Sequence, residues 1–367
     1  MKILIVCNNS AGLERFRGKL IQSLIEKEHD IVLVIPKSEK DTEIQAQRRI
    51  KTLGCKLIQV PMERRGMNPV KDISLFLAYR KHIEEQKPDY VITYTIKPNI
   101  YAGLECRLKK IPYVANITGL GTAFQKSGVL KKIVTVMYKF SLGRAKVIFF
   151  ENKENRNSMV DMGIVDEKHT HVLHGAGVDL CHFKYENYPQ NDSEIRFLFI
   201  GRVMKEKGIH ELFTAMKMLQ NDKEKCCLHI VGSFEEDYSK EIEQYQKEGW
   251  LNYHGVQNDV RPFISNSHCV VLPSWHEGMA NTNLEGAATG RPLITSNIAG
   301  CKEAVIKNVS GFLCESQNAE SLYKKMKDFI ALPYEYRRKM GQEGRKWMEE
   351  TFDKEKVVEE TITIMGV

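Results

Sequence analysis

The chain has 367 residues, with 54 Lys or Arg against 47 Asp or Glu and a formal net charge of +7. At roughly 100 to 200 residues per domain this length suits two domains or one large barrel. Its 42% hydrophobic and 28% charged residues are those of a folded globular protein, which excludes a disordered, collagen-like or coiled-coil chain.

In chain order, apolar and β-branched runs at 3–7, 31–35, 57–60, 90–93, 113–117 and 147–150 alternate with segments of helical spacing, such as 70–86 and 129–143. Runs that are apolar throughout suit strands buried on both faces of a parallel sheet. A polar stretch at 179–194, bearing Asn, Tyr and Pro, has no period and is the expected linker and hinge. A second series follows, with strands expected at 197–200, 227–231, 251–254, 269–272 and 292–295 and helices at 208–219, 237–247, 260–265 and 281–289. The end of the chain predicts helices at 319–331, 334–350 and 354–364. The expected fold is α/β, with two Rossmann-like, doubly wound parallel-sheet domains at 1–178 and 195–350. Residues 351–367 form a last helix that packs back on the first domain, and a ligand cleft lies at the carboxyl ends of the strands.

No run of about 18 apolar residues occurs and the run at 3–7 is too short for a signal-peptide core, so a soluble, unexported protein is expected. The nine cysteines are odd in number and form no C-x-x-C pair, which suits a reducing cytosol and small core residues. Charge is unevenly placed: 31 basic and 20 acidic residues up to 190, then 23 and 27 beyond it. Between Glu105 and Glu151 there are nine basic residues and no acidic one. Such a stretch is either a solvated face or an attraction to an anionic membrane surface or a phosphate-bearing substrate. No nucleic-acid partner is expected, because no reader motif accompanies the charge.

Gly201-Arg202-Val203-Met204-Lys205-Glu206-Lys207-Gly208 follows a predicted strand and opens a helix. A turn of this kind either aims backbone N–H groups, a helix dipole and two cations, Arg202 and Lys207, at a bound anion, or merely ends a strand with surface lysines. Farther on, Glu277-Gly278-Met279-Ala280-Asn281-Thr282-Asn283-Leu284-Glu285 sets two carboxylates eight apart across a loop that leads into a helix. They can accept from sugar hydroxyls while the N–H groups of Met279 to Thr282 cap a phosphate; alternatively, Glu285 is an ordinary acid near a helix start. His169, His171, His174 and His182 lack a supporting Cys or carboxylate, and no metal site is expected.

These patterns resemble the family 4 retaining glycosyltransferases of the GT-B fold, marked by G-R-x-x-x-x-K-G and E-x7-E. Gly175-Ala176-Gly177-Val178-Asp179 with Phe183, the segment from Glu285 to Pro292, and Gly300, Glu303 and Gly311-Phe312-Leu313 extend the likeness. It covers the second domain closely and the first in layout. Bacterial enzymes that extend lipid-linked oligosaccharides or surface polysaccharides look closest, through Gly119-Leu120-Gly121 and the Thr95 to Asn99 region. The resemblance implies transfer of a sugar, with retention, from a nucleotide-sugar donor such as a UDP-hexose or UDP-N-acetylhexosamine to a polyprenyl-diphosphate-linked saccharide. It implies catalytic roles for Arg202 and Lys207 on the donor diphosphate and for Glu277 on the donor sugar. Donor-binding roles fall to Gly12, Gly201, Met279, Ala280, Asn281 and Thr282, with Glu285 on the ribose, and Trp275 and His276 line the donor pocket. No cofactor beyond the donor substrate and no metal is implied. Where many relatives carry a His or an acid after the fifth strand, this chain offers Asn116 and Thr118, so no general base is named. A cytoplasmic enzyme lying peripherally on the inner face of the cell membrane is expected. A sugar-nucleotide epimerase of the same fold or a non-catalytic nucleotide-sugar-binding partner are the alternatives; a dinucleotide-dependent oxidoreductase is disfavoured because neither half opens with G-x-G-x-x-G.

Overall fold

A computed structural model describes residues 1–63, 68–120, 129–190 and 193–367. They form two units, Met1–Ala176 with Glu355–Val367, and Gly177–Lys354. Of the Gly119-Leu120-Gly121 segment, Gly121 lies outside the described residues, as does Lys126 of the acid-free stretch.

The first unit runs β1 (Lys2–Val6), α1 (Ser10–Glu26), β2 (Asp30–Pro36), α2 (Asp41–Thr52), β3 (Lys56–Val60), α3 (Pro69–Gln86), β4 (Tyr90–Tyr94), α4 (Ile96–Lys109), β5 (Tyr113–Ile117), α5 (Val129–Leu142), β6 (Val147–Phe150), α6 (Lys153–Asp161) and β7 (Thr170–Val172). Its strands pair in parallel in the order β3-β2-β1-β4-β5-β6-β7, so the winding reverses between β1 and β4. Alternation along β1 sends Ile3 and Ile5 into an apolar layer with Leu20 and Leu24 of α1, and Leu4 and Val6 into the opposite layer with Tyr79 of α3. Both layers are dry, which is why these strands are apolar throughout instead of alternating. Asn68 starts α3 by accepting hydrogen bonds from the N–H groups of Val70 at 3.1 Å and Lys71 at 3.3 Å, with Pro69 at the first helical position.

The second unit repeats the plan with β8 (Ile195–Ile200), α7 (Ile209–Asn221), β9 (Cys226–Val231), α8 (Ser239–Lys247), β10 (Leu251–Tyr253), α9 (Arg261–Asn266), β11 (Cys269–Leu272), α10 (Asn281–Ala288), β12 (Leu293–Ser296), β13 (Gly311–Cys314), α11 (Ala319–Ala331) and α12 (Tyr334–Thr351). Its parallel order is β10-β9-β8-β11-β12-β13, reversing between β8 and β11. The last helix, α13 (Lys354–Met365), contributes Val358, Ile362 and Met365 to the α1 side of the first unit's core. Lys146 Nζ donates to the Met365 carbonyl at 2.7 Å and His171 pairs with Glu360 at 2.7 Å. Eight of the nine cysteines are buried and all are free thiols. Among the described residues no helix is long and apolar enough to cross a membrane.

The expected linker at 179–194 needs correction. The second unit begins at Gly177, and the segment that follows is built into it. Phe183 and Tyr188 are buried, and Tyr188 Oη donates to the His268 carbonyl at 3.1 Å. Arg291, fully buried, donates to the carbonyls of Glu186 at 2.9 Å and Asn187 at 3.0 Å, and also to those of Ile264 and Ser265. A guanidinium has five N–H donors, and here backbone carbonyls take them in place of a carboxylate. Its described part, 179–190, is thus a strap fastened to the second unit by a hydrogen-bonding partner about a hundred residues away in sequence. Strand β13 was also outside the expected set: it opens on a glycine and has only four residues, too little for a periodic signal.

Candidate active site

β8 and β11 are parallel neighbours, with Phe197 in register with Cys269 and Leu198 with Val270. The loops that leave their carboxyl ends therefore emerge side by side at the point where the sheet reverses, the position open α/β sheets use for ligands. After β8, a single 3-10 turn, Lys205–Lys207, leads into α7 through Gly208 at φ +73°. A Cβ on Gly208 would lie 2.1 Å from the Pro273 carbonyl oxygen of the β11 loop, so only glycine lets the two loops approach this closely.

That approach pairs the Lys207 ammonium with Glu277 Oε1. The side chains are 20% and 13% exposed, which leaves them partly shielded from water but open at one side. Ser274 Oγ donates to the same Glu277 oxygen at 2.8 Å. Further contacts bind the loops together: Trp275 N–H donates to the Glu206 carbonyl at 3.0 Å, His276 Nε2 lies 3.4 Å from Glu206, and the Lys205 ammonium sits 5.4 Å from the centre of the Trp275 ring. Trp275 Nε1 also donates to Glu211 at 3.2 Å. Trp275 and His276, expected to line a pocket, thus fasten one loop to the other. Behind them, burial and the nearby Glu277 carboxylate hold the Cys301 thiol well above its usual value, so it stays protonated.

The remaining site residues divide. Asn281 and Thr282 open α10, where among the described residues no acceptor takes their N–H groups, and Thr282 Oγ1 donates to the Ile200 carbonyl at 3.2 Å. Met279 is buried just before them, and Glu285 is buried about one turn into the helix. Arg202 points elsewhere: its Nη1 lies 3.3 Å from Glu235 of the loop after β9, and it is 46% exposed. Two expected anion-facing amides are already occupied. Gly201 N–H donates to the Val231 carbonyl at 3.0 Å, prolonging the β8–β9 ladder, and Ala280 N–H donates to the Gly300 carbonyl at 2.7 Å. Gly300 is held in turn by Glu303, which accepts its N–H at 2.8 Å. Gly300 itself needs φ +82°, where a Cβ would lie 2.6 Å from the Gly278 carbonyl oxygen.

Gly12 belongs to the first unit and needs the same correction. Its N–H is capped by Asn9 Oδ1, while Glu43 of α2 accepts from the N–H groups of Ser10 at 2.6 Å and Ala11 at 3.3 Å. The start of α1 is therefore satisfied by the chain's own oxygens. Asn116 is 4% exposed and donates to the Thr93 carbonyl at 3.1 Å while its own carbonyl accepts from Asn99 at 2.9 Å, so it tethers β5 to β4 and α4. Beside it, Thr95 at the end of β4 has φ +74°, unusual for a residue with a Cβ. Among the described residues no three His, Cys, Asp or Glu side chains come together as a metal-holding group. Ser274, Glu206 and Glu235 carried no signal in the sequence, because each is recognisable only by the partner that folding brings to it.

Comparison with known proteins places residues 183–347 in the family of glycosyl transferases group 1 and residues 2–152 in the glycosyl transferase 4-like family. Across 342 residues, 89% of this chain and 88% of the relative, the sequence is 26% identical to the N,N'-diacetylbacillosaminyl-diphospho-undecaprenol alpha-1,3-N-acetylgalactosaminyltransferase of Campylobacter jejuni. It is 24% identical over 331 residues, 85% of this chain and 82% of the relative, to a UDP-Gal:alpha-D-GlcNAc-diphosphoundecaprenol alpha-1,3-galactosyltransferase of Escherichia coli. The crystal structure of Anabaena HepE in complex with UDP and glucose superposes with a TM-score of 0.81 at 14% identity, covering 100% of this chain and 99% of that one.

Proposed function

Because the chain belongs to the family 4 glycosyltransferases of the GT-B fold, with a group 1 domain over 183–347 and a 4-like domain over 2–152, we propose that it transfers a hexose or N-acetylhexosamine from a UDP-sugar to a polyprenyl-diphosphate-linked saccharide, with retention at the anomeric carbon. The observation that carries this reading is the largely shielded Lys207–Glu277 pair beside the open first turn of α10. A donor diphosphate draws the ammonium away from the carboxylate and meets the Asn281 and Thr282 N–H groups at the positive end of a helix. Glu277, still held by Ser274, then accepts from hydroxyls of the donor sugar, and Glu285 serves the ribose. As the glycosidic bond breaks, negative charge gathers on the leaving diphosphate, where Lys207 and Arg202 lower the barrier by stabilising that charge more than the ground state. A leaving-phosphate oxygen takes the acceptor proton on the same face, which is compatible with Asn116 being tied into the sheet. The cationic clamp does this without a divalent metal, and the enzyme works peripherally at the inner face of the cell membrane, where lipid-linked acceptors are presented.

The test is a thermal-shift panel of nucleoside diphosphates and their sugars, with and without EDTA. A ligand that binds only the folded state raises the midpoint with its concentration. UDP and one UDP-sugar should raise it selectively, equally with EDTA present. A shift that EDTA abolishes would refute the metal-free clamp, and no shift with any nucleotide would refute the donor site.

A further inference from the structure

The first unit carries an apolar surface outside the site. Among the described residues thirteen large apolar side chains are exposed, and seven of these sit on α3, α4 and α5. These helices form one layer: Leu75 and Tyr79 of α3, Ile100 and Cys106 of α4, and Val134 and Tyr138 of α5 all enter the same core cluster, with α4 packed between the other two. Their opposite sides are the exposed ones. Val70, Ile73 and Leu77 are 76%, 61% and 53% exposed, and Ile133, Val136 and Phe140 are 46%, 54% and 59% exposed. Each trio has i, i+3, i+7 spacing and so makes a single stripe down its helix. Leu108, 62% exposed at the end of α4, lies on the helix between them. A patch three helices wide on one unit marks an interaction surface.

Charge selects the partner. Lys132 and Lys139 are exposed beside the α5 stripe, and the sequence from 106 to 150 holds no carboxylate. A two-fold contact that set α5 against its own copy would press this acid-free helix lysine toward lysine, at an electrostatic cost. An anionic lipid surface matches both properties, since apolar side chains enter the boundary of headgroups and acyl chains while lysines meet lipid phosphates.

We propose that the outer face of α3, α4 and α5 is the surface with which the first unit lies on an anionic bilayer, the stripes of α3 and α5 inserting and the lysines of α5 pairing with headgroups. This rests on the reading of a lipid-linked acceptor and names the surface that such a reading requires. The test is co-sedimentation of the full chain with vesicles of phosphatidylcholine alone or mixed with phosphatidylglycerol. The variants are Ile133→Ser with Phe140→Ser, Val70→Ser with Leu77→Ser, and Lys132→Gln with Lys139→Gln, all at exposed positions. Wild type should bind the mixed vesicles, less so at high salt, and each pair should lower partitioning by about tenfold. Turnover on an acceptor diphosphate without a lipid tail should be the same in all. Wild-type binding that the variants share would overturn the face while leaving a membrane enzyme. A wild type that ignores both vesicles would overturn the membrane reading as well. Loss of turnover on the tail-less acceptor would make the surface part of the site instead, and a lipid-free dimer that the serine variants dissociate would assign it to a second copy. Either result overturns the proposal.

Discussion

Lys207 and Arg202 are five residues apart on one turn, and from the sequence they are equivalent cations. Folding separates them. Lys207 is four-fifths shielded and held against Glu277, whereas Arg202 is 46% exposed and faces Glu235. A charge shielded from water acts through a lower effective dielectric and does more at a transition state than one in solvent. Lys207→Ala is therefore expected to lower turnover about 10²-fold or more, equivalent to roughly 2.7 to 4 kcal/mol, and Arg202→Ala to lower it less. Steady-state kinetics on both variants checks the order, and the reverse order would place the principal charge stabilisation on Arg202. The carboxylates and cations were legible at this scale because their side-chain chemistry does not depend on context. The amides were not: whether Gly201 or Ala280 offers its N–H to a ligand depends on whether Val231 or Gly300 has already taken it.

At the scale of elements, β9 and β10 carry a feature that spacing does not announce. His229 on β9 and His254 just beyond β10 lie edge to edge with their ring planes parallel, and His229 Nδ1 meets His254 Nε2 at 2.9 Å. One nitrogen must donate and the other accept, so at least one ring is neutral. Burial pushes both rings below the ordinary value of 6.5, and for His229 the neighbouring His254 and Arg196 push further in the same direction. The unfolded chain thus binds protons that the folded one resists, and the pair's stability is present above pH 6.5 and lost as pH falls below it. The melting midpoint should drop between about pH 7 and about pH 5, and His254→Gln should flatten that drop; a wild-type midpoint that stays level across this range would contradict the pairing. Regular elements were read well where burial on both faces made runs wholly apolar, as in β1, β4 and β11. The strap after Gly177 was misread as a linker because its order comes from Arg291 and Arg345, whose side chains reach the carbonyls of Glu186, Asn187 and Phe183.

At the scale of the whole molecule, the chain completes its first unit only at its far end. Val358, Ile362 and Met365 of α13 cover the same apolar layer as α1, and Tyr90 Oη donates to the Met365 carbonyl at 3.2 Å. Truncation after Lys354 would uncover that layer at a cost of roughly 1.5 to 3 kcal/mol for each buried apolar side chain removed. The expected outcome is a first unit that melts early, while the second unit, which ends at Lys354, keeps its UDP-dependent shift; calorimetry with and without UDP reads both, and an unchanged first transition would refute the role of α13. Periodicity and local motif are properties of neighbouring residues, so the sequence by itself determined two wound parallel sheets, their class and the chemistry of the residues after β8 and β11. Only the tertiary structure decided which of those residues meet, that Lys207 takes Glu277 and Arg202 does not, that the amides of Gly12, Gly201 and Ala280 are occupied, and that the polar strap is fastened down. Except at Gly12, whose cap Asn9 is local, each of these outcomes is a competition for partners that lie tens of residues or more apart, and such a competition has a result only once the chain has folded.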